Sequence, residues 1–290
     1  MPGYKNFAVA GAGGLGNFII DELLRKKAAG NVHKIVVLTR SMQGKDALAA
    51  KGVEPIVVDY NSPDALWSAL QGVDVVISTV AGRSGPVLTV QEPLAEAAKA
   101  AGVKLFVPSE FGGDTINHKD GPLAAKNAQH DKLTQLGLPW ALFFTGMFSD
   151  YFWNQPFLGF DLNNGKVEVA GMGSGLVSWT SRKDIARYVV YATTSLPPSK
   201  LHNHVFKIEG ERTSVKKVVA EYEVRTGEKV HITCIPMDEV KKKAASGDFK
   251  SLLQLVFELD GTYGREEEMN VDWPDFNPET VVDAMVSSKA

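Results

Sequence analysis

Six residues near the start of the chain have the types and spacing of a phosphate-binding turn. Gly11-Ala12-Gly13-Gly14-Leu15-Gly16 fits the G-x-G-x-x-G pattern between an apolar run and an amphipathic segment. Glycines suit such a turn because Cβ atoms would keep a pyrophosphate away from the backbone N–H groups at the helix N-terminus. An ordinary glycine-rich turn is the alternative, but this placement favours dinucleotide binding. The expected cofactor contacts are Gly11, Gly13, Gly14, Leu15 and Gly16.

The residues after the second apolar run indicate which dinucleotide would bind. NAD-preferring proteins usually carry an Asp or Glu about 20 residues beyond the glycines, where it binds the ribose 2′-hydroxyl. Residues 31–45 contain no carboxylate, and the run ends at Thr39 and Arg40. The Arg40 guanidinium would pair with a 2′-phosphate, with Lys45 adding positive charge; the alternative is a solvated arginine at a strand end. The pattern favours NADPH.

Four more candidates, Asp59, Thr79, Val80 and Ser109, each follow a later apolar run. The carboxyl ends of parallel strands meet at one edge of a sheet, where a dinucleotide binds. Asp59 could accept a hydrogen bond from an adenine amino group or cap the helix that follows, and neither is favoured. Thr79 and Val80 are candidates by position. Ser109 has no identifiable His and Asp partners, so the sequence does not support hydrolysis.

The elements that would position these residues alternate along the first half of the chain. Short β-branched runs alternate with longer helical patterns, as in parallel βαβ units. The strand candidates are residues 7–10, 35–38, 55–58, 73–77, 103–107 and 140–144. We predict an α/β fold: a Rossmann-type, doubly wound parallel sheet with a smaller C-terminal α+β region. The NADP-binding domain is predicted at 1–148, joined by strands near 176–208, and 149–290 is predicted to be mainly substrate-binding.

Composition excludes several classes of function. The 290 residues include 31 Lys and Arg and 34 Asp and Glu, giving a net charge of −3 and no basic tail for nucleic acid. No apolar run approaches the roughly 20 residues that span a bilayer, and the start has no signal-peptide pattern. With Cys234 as the single cysteine, we expect a cytoplasmic protein. His202 and His204 lack further ligands nearby, so no metal site is predicted. A homodimer is compatible with the sequence, which leaves the oligomeric state open.

A longer stretch resembles a known family. Val107-Pro108-Ser109-Glu110-Phe111-Gly112, with Gln91 before it and Lys126 after it, resembles the isoflavone reductase and phenylcoumaran benzylic ether reductase group. That group belongs with the NmrA-like proteins among the atypical short-chain dehydrogenases. The resemblance extends over nearly the whole chain and implies an NADPH-dependent reductase with a lysine beside the nicotinamide. Counting back from Gly137-Leu138-Pro139 places Lys126 on that lysine.

The proton donor is not the usual one. Ordinary short-chain dehydrogenases use Tyr-x-x-x-Lys, but the residue four before Lys126 is Pro122. Lys126 must therefore act itself, act through water, or only bind the cofactor ribose. A desolvated lysine can titrate near neutrality and serve as acid or base, whereas the alternative is a solvated lysine on an amphipathic helix. The resemblance favours a catalytic Lys126.

The substrate cannot be carried over from the family. Gly14 and Leu15 stand where plant reductases usually have an aromatic residue and isoleucine, and the aromatic stretch 148–160 is particular to this chain. We expect a small aromatic or conjugated substrate. Its predicted contacts are Glu110, Phe111, Phe148, Tyr151 and Phe152. The aromatic residues from 148 onward could equally form a domain-interface core.

Two functions fit these motifs. The first is an NADPH-dependent reductase in which Lys126 assists hydride transfer to the substrate. The second is an NADPH-sensing regulator of the NmrA type, which binds the cofactor without turnover. Lys126 favours the enzyme, because a sensor does not need a lysine at the hydride site.

Overall fold

The computed structural model describes residues 3–41, 43–80, 88–116, 118–119 and 123–288. The chain divides into two compact units, each built from two segments. The first comprises Met1–Phe144 and Ala186–Phe206, and the second comprises Thr145–Ile185 and Lys207–Ala290. Among the described residues, no helix has the length and apolar character needed to cross a bilayer.

A five-stranded parallel sheet forms the centre of the first unit. Its strands are β1 (Asn6–Ala10), β2 (Lys34–Thr39), β3 (Glu54–Val57), β4 (Val75–Ser78) and β5 (Leu105–Val107). They are arranged in the order β3-β2-β1-β4-β5, and every pair is parallel. The prediction of a Rossmann-type parallel sheet is confirmed. Strands β2 and β3 lie on one side of β1, and β4 and β5 lie on the other, so the strand order changes direction between β1 and β4. Sheets of this kind bind ligands at that point.

Helices follow the strands of this sheet. They are α1 (Gly14–Ala28), α2 (Lys45–Ala50), α3 (Pro63–Ala69), α4 (Leu88–Ala100) and α5 (Ala124–Gln135). The strands read as continuous apolar runs because helices cover both faces: Phe7, Ala8 and Val9 are all fully buried. Strand β6 (Ala141–Phe144) follows α5, and a bridge between Phe106 and Trp140 joins its start to β5.

The second unit contains two smaller sheets. One has the order β14 (His231–Ile235), β10 (Lys166–Ala170), β9 (Phe160–Asp161) and β8 (Asn154–Gln155). The other has the order β13 (Glu211–Ser214), β11 (Leu176–Thr180) and β7 (Met147–Phe148). Its further helices are α7 (Val215–Thr226), α8 (Met237–Ala245), α9 (Phe249–Leu259) and α10 (Val281–Ser287). Trp153 and Trp179 stack in its core with ring centroids 5.4 Å apart.

Two elements lie where the chain passes between the units. The boundary at residues 185 and 186 falls within α6 (Arg182–Ser195). Ser181 caps the first turn of this helix, because its hydroxyl accepts a hydrogen bond from the Asp184 N–H at 3.1 Å. Strand β12 (His204–Lys207) then pairs with β6 of the first unit. The first unit is therefore completed by residues that come later in the chain than the first segment of the second unit.

Candidate cofactor and active site

The glycine turn lies between β1 and α1 and is held tightly to the sheet. The Gly11 N–H donates to the Leu38 carbonyl at 3.1 Å, and Gly11 has a φ of +100° that glycine adopts without strain. A Cβ atom on Gly16 would lie 2.1 Å from the Gly11 carbonyl oxygen and 2.7 Å from Thr79 Oγ1. Gly16 is therefore required for the close packing of α1 on the turn.

Gly13 has the opposite surroundings. It is the N-cap of α1, and the part of the chain that the structure describes shows no side-chain capping hydrogen bond at this helix start. A Cβ atom on Gly13 would meet no atom of the described residues within 4 Å. Open space in front of uncapped N–H groups at a helix N-terminus suits an anionic oxygen. These residues fit the pyrophosphate of a dinucleotide.

Thr79 connects the end of β4 to the same turn. Its hydroxyl donates to the carbonyl oxygens of Ala10 at 3.1 Å and Gly11 at 3.0 Å. Val80 is partly buried against the core of the first unit. The hydroxyl of Ser78, just before them, is buried and has no hydrogen-bond partner among the described residues. Thr79 thus positions the turn through backbone contacts, which its position in the sequence did not indicate.

Arg40 is exposed after β2 and makes no ion pair with a described carboxylate. Its charge acts on Tyr60, which follows β3 with only 6% of its surface exposed. Burial raises the pKa of Tyr60 to about 12, and the Arg40 charge opposes that rise. The side chain of Lys45 lies outside the described residues.

Asp59 makes a local turn after β3. Its Oδ1 accepts hydrogen bonds from the backbone N–H of Asn61 at 2.9 Å and from Asn61 Nδ2 at 3.1 Å. Ser62 is the N-cap of α3, because its hydroxyl accepts from the Ala65 N–H at 3.4 Å. Capping of this helix is therefore performed by Ser62 rather than Asp59.

Lys126 lies in the first turn of α5 and is partly buried. Its Nζ donates to the main-chain oxygen of Glu110 at 3.1 Å. Burial lowers the pKa of Lys126 below its ordinary value of 10.5, and the negative charge of Glu110 partly opposes that effect. This environment differs from that of a freely solvated surface lysine. Pro122 lies outside the described residues.

Glu110 is completely buried, with 0% of its surface exposed. Its Oε2 accepts a hydrogen bond from the Thr115 hydroxyl at 2.7 Å, and its Oε1 lies 3.1 Å from His130 Nε2. His130 follows Lys126 by one helical turn on α5. Thr115 and His130 were not among the site residues predicted from the sequence, although the spacing of four residues places Lys126 and His130 on the same helix face.

Ser109 and Phe111 flank Glu110 in the segment after β5. The Ser109 N–H donates to Gln91 Oε1 at 2.8 Å, so a side chain on α4 holds this segment. The Phe111 ring stacks with that of Phe143, with centroids 6.4 Å apart. The Gln91 amide nitrogen and both polar atoms of Gln129 are buried without a partner among the described residues. The segment is thus held by a hydrogen bond to Gln91 and by the ring contact between Phe111 and Phe143.

The three aromatic candidates of the second unit lie in and after β7. Phe152 makes edge contacts with Trp179 at 6.3 Å and Phe257 at 5.9 Å, both between ring centroids. It therefore packs on the core of this unit. Tyr151 is partly exposed, and the Arg182 guanidinium lies 5.3 Å from the centre of its ring. Phe148 is also partly exposed, and substrate contact stays a prediction for all three.

No cluster of metal-ligating side chains occurs in the part of the chain that the structure describes. The structure brings the glycine turn together with Thr79, Ser109 with Gln91, and Lys126 with Glu110. It places Arg40 and Asp59 at the ends of the neighbouring strands β2 and β3.

Comparison with known proteins places the chain in a family. The sequence pattern of the NmrA-like family matches residues 4–290. Isoflavone reductase homolog P3 of Arabidopsis thaliana is 28% identical over 256 residues, which cover 82% of this chain and 80% of that protein. Oxidoreductase aprR of Aspergillus flavus is 30% identical over 247 residues, covering 81% of this chain and 79% of that protein.

A solved structure described as AtPrR2 with NADP+ and (+)pinoresinol has the same fold. It superposes with a TM-score of 0.76 at 22% identity, and the match covers 98% of each chain. The fold and the named relatives agree with the family resemblance inferred from the motif between Pro108 and Gly112. The chain belongs to the NmrA-like family.

Proposed function

We propose that the chain is an NADPH-dependent reductase of a small aromatic or conjugated molecule, with Lys126 as its catalytic residue. The observation that carries the proposal is Lys126 itself: a partly buried lysine with a lowered pKa, fixed by the Glu110 carbonyl in a fold with a dinucleotide-type turn. The relatives are named as an oxidoreductase and an isoflavone reductase homologue, which supports this activity.

Cofactor binding is assigned to the first unit. The open space at Gly13 and the uncapped N–H groups of α1 would accept the pyrophosphate, and Arg40 would pair with the 2′-phosphate. Asp59, Thr79, Val80 and Ser109 follow β3, β4 and β5 at the same edge of the sheet. When bound, NADPH supplies the hydride.

Lys126 supplies the proton or holds it in place. A lysine whose pKa is lowered by burial can release a proton closer to neutral pH than a solvated one. The Glu110 carbonyl occupies one of the three hydrogen-bond directions of the ammonium and so fixes Nζ, leaving the others for a substrate oxygen or a water. This assignment agrees with the absence of tyrosine four residues earlier.

The test follows NADPH consumption across quinones, aryl aldehydes, isoflavonoids and benzylic ethers, with NADPH binding measured separately. Lys126→Ala is expected to abolish turnover while largely sparing NADPH binding. Lys132→Ala is the matched control, because Lys132 lies on the same helix but pairs with Glu96 at 2.6 Å. Full activity of Lys126→Ala would contradict its catalytic role. Tight NADPH binding without any turnover would favour the sensor, and no NADPH binding would refute both functions.

A further inference from the structure

Glu110 is attached to the helix that carries Lys126 at two points. Its main-chain oxygen accepts the Lys126 ammonium at 3.1 Å, and its carboxylate lies 3.1 Å from His130 Nε2. A third contact, from the Thr115 hydroxyl at 2.7 Å, holds the other carboxylate oxygen. One buried residue thus contacts two side chains of α5: Lys126 through its main-chain oxygen and His130 through its carboxylate.

The burial of this carboxylate requires a compensating charge. A buried ionised group is strongly unfavourable unless it is paired and hydrogen-bonded. Glu110 Oε1 and His130 Nε2 are both buried, and neither has another partner among the described residues. An Nε2–H on His130 would satisfy both atoms at once, and a second proton on the ring would also compensate the carboxylate charge. An ion pair enclosed beside Lys126 would meet both requirements.

Several other charged groups near α5 have partners other than Lys126. Glu92 and Glu96 on α4 act on Lys132, and Lys99 on α4 donates to the Gly137 carbonyl. Asp114 accepts from the backbone N–H of Ile116. Asp131 is exposed on α5. Among the described residues, Glu110 is the one charged group found to act on Lys126.

We propose that Glu110, with His130 as its buried ionic partner, is a positioning residue that keeps Lys126 oriented and protonated at the start of α5. The main-chain contact orients Nζ, the carboxylate favours the ammonium form, and His130 offsets part of that charge. The catalytic meaning of this arrangement rests on the proposed reductase function. The electrostatic arrangement itself can be measured without turnover.

The experiment measures the protonation of Lys126 in the full chain by competitive labelling. Trace acetic anhydride acetylates only unprotonated amines, so the labelling rate of the peptide containing Lys126, followed by mass spectrometry against pH, gives its titration midpoint. Glu110→Gln keeps the size of the side chain and its hydrogen-bonding capacity but removes the charge. Glu96→Gln is the matched control, since it removes a carboxylate that pairs with Lys132.

The Glu110→Gln midpoint is expected to fall by about one pH unit, because the Glu110 charge favours the ammonium form and an opposite charge shifts a pKa by roughly 1–3 units. Glu96→Gln is expected to leave it unchanged. His130→Gln is expected to raise it, since the carboxylate then acts without its positive partner. An unchanged or raised midpoint in folded Glu110→Gln overturns the proposal. If circular dichroism shows that Glu110→Gln does not fold, His130→Gln decides: a rise supports the ion pair, and no change or a fall overturns it.

The pH profile of turnover separates this proposal from the reductase function. With an active enzyme, the alkaline limb of the profile should move in the same direction as the labelling midpoint for each variant. If no compound is reduced, the proposed reductase function is wrong, but the labelling midpoints still test the role of Glu110. If the midpoint moves but the profile does not, Lys126 is tuned by Glu110 but does not limit catalysis.

Discussion

Two glycines of the same turn should respond in opposite ways to an added methyl group. In Gly16→Ala the new Cβ would lie 2.1 Å from the Gly11 carbonyl oxygen, a backbone atom that cannot rotate away. In Gly13→Ala the new Cβ would have no neighbour within 4 Å among the residues that the structure describes, and the φ of −97° is open to alanine. The first change should therefore disturb folding, and the second should disturb binding of the pyrophosphate.

The magnitudes follow from these surroundings. Overpacking costs about 1–3 kcal/mol, and the rigid neighbours of Gly16 favour the upper value. Alanine recovers up to about 1 kcal/mol of helix propensity, which leaves a net loss near 2 kcal/mol. For a domain of 150–250 residues each kcal/mol lowers Tm by about 2–4 °C, so Gly16→Ala should lose about 4–8 °C. Gly13→Ala replaces glycine at an N-cap, which should cost less than about 1 kcal/mol.

The assays are thermal unfolding without ligand and NADPH binding by fluorescence titration. Gly13→Ala is expected to weaken NADPH at least about tenfold, equivalent to ~1.4 kcal/mol, because the methyl group enters the space for the phosphates. Gly30→Ala adds a methyl group just beyond the other end of α1, so it controls for a Gly→Ala change outside the turn, with the added strain of its φ of +77°. Unchanged NADPH affinity in Gly13→Ala refutes the assignment of this turn. A Gly16→Ala protein as stable as the wild type refutes the packing argument.

Three further outcomes are expected. Arg40→Ala should weaken NADPH by roughly 10- to 100-fold and leave NADH nearly unchanged, since a charge-assisted hydrogen bond contributes about 1.5–3 kcal/mol; equal losses for both cofactors would exclude 2′-phosphate recognition. The pKa of Lys126 is lowered by burial, so the unfolded chain binds more protons between that lowered pKa and about pH 10.5. Wild-type stability relative to Lys126→Met, measured by urea unfolding, should therefore rise with pH over that interval. The pKa of Tyr60 is raised to about 12 by burial, so stability should fall between pH 10 and 12 as the unfolded tyrosine ionises first, and Tyr60→Phe should flatten that decline. A parallel decline in both proteins would show that Tyr60 is not protected.

The parallel sheet was predictable because its signals are local. Each central strand is covered on both faces, so it appears in the sequence as a continuous apolar run such as Phe7 to Ala10. The glycines of the turn are equally legible, since both the left-handed φ of Gly11 and the close approach at Gly16 depend on the absence of a side chain. In this part of the chain, the residue types that the fold requires are the same ones that form a recognisable sequence pattern.

The polar cluster around Lys126 was only partly predictable. The motif Pro108 to Gly112 and the lysine could be found by resemblance, but the pairing of Glu110 with His130 joins residues 20 positions apart in the chain. It depends on how the segment after β5 packs on α5, which no local pattern encodes. The same holds for Phe152, whose contact with Phe257 depends on the distant helix α9.

The order in which the first unit is assembled has a consequence for biosynthesis. Strand β6 pairs with β12, and these are separated by the 59 residues between Phe144 and His204. A nascent chain emerging from the ribosome presents β6 with an unsatisfied edge until His204–Lys207 has been made. Such edges are templates for association with other chains. A fragment truncated near residue 148 should therefore aggregate where the full chain does not, and chaperone demand should be greatest while residues 145–203 are being translated.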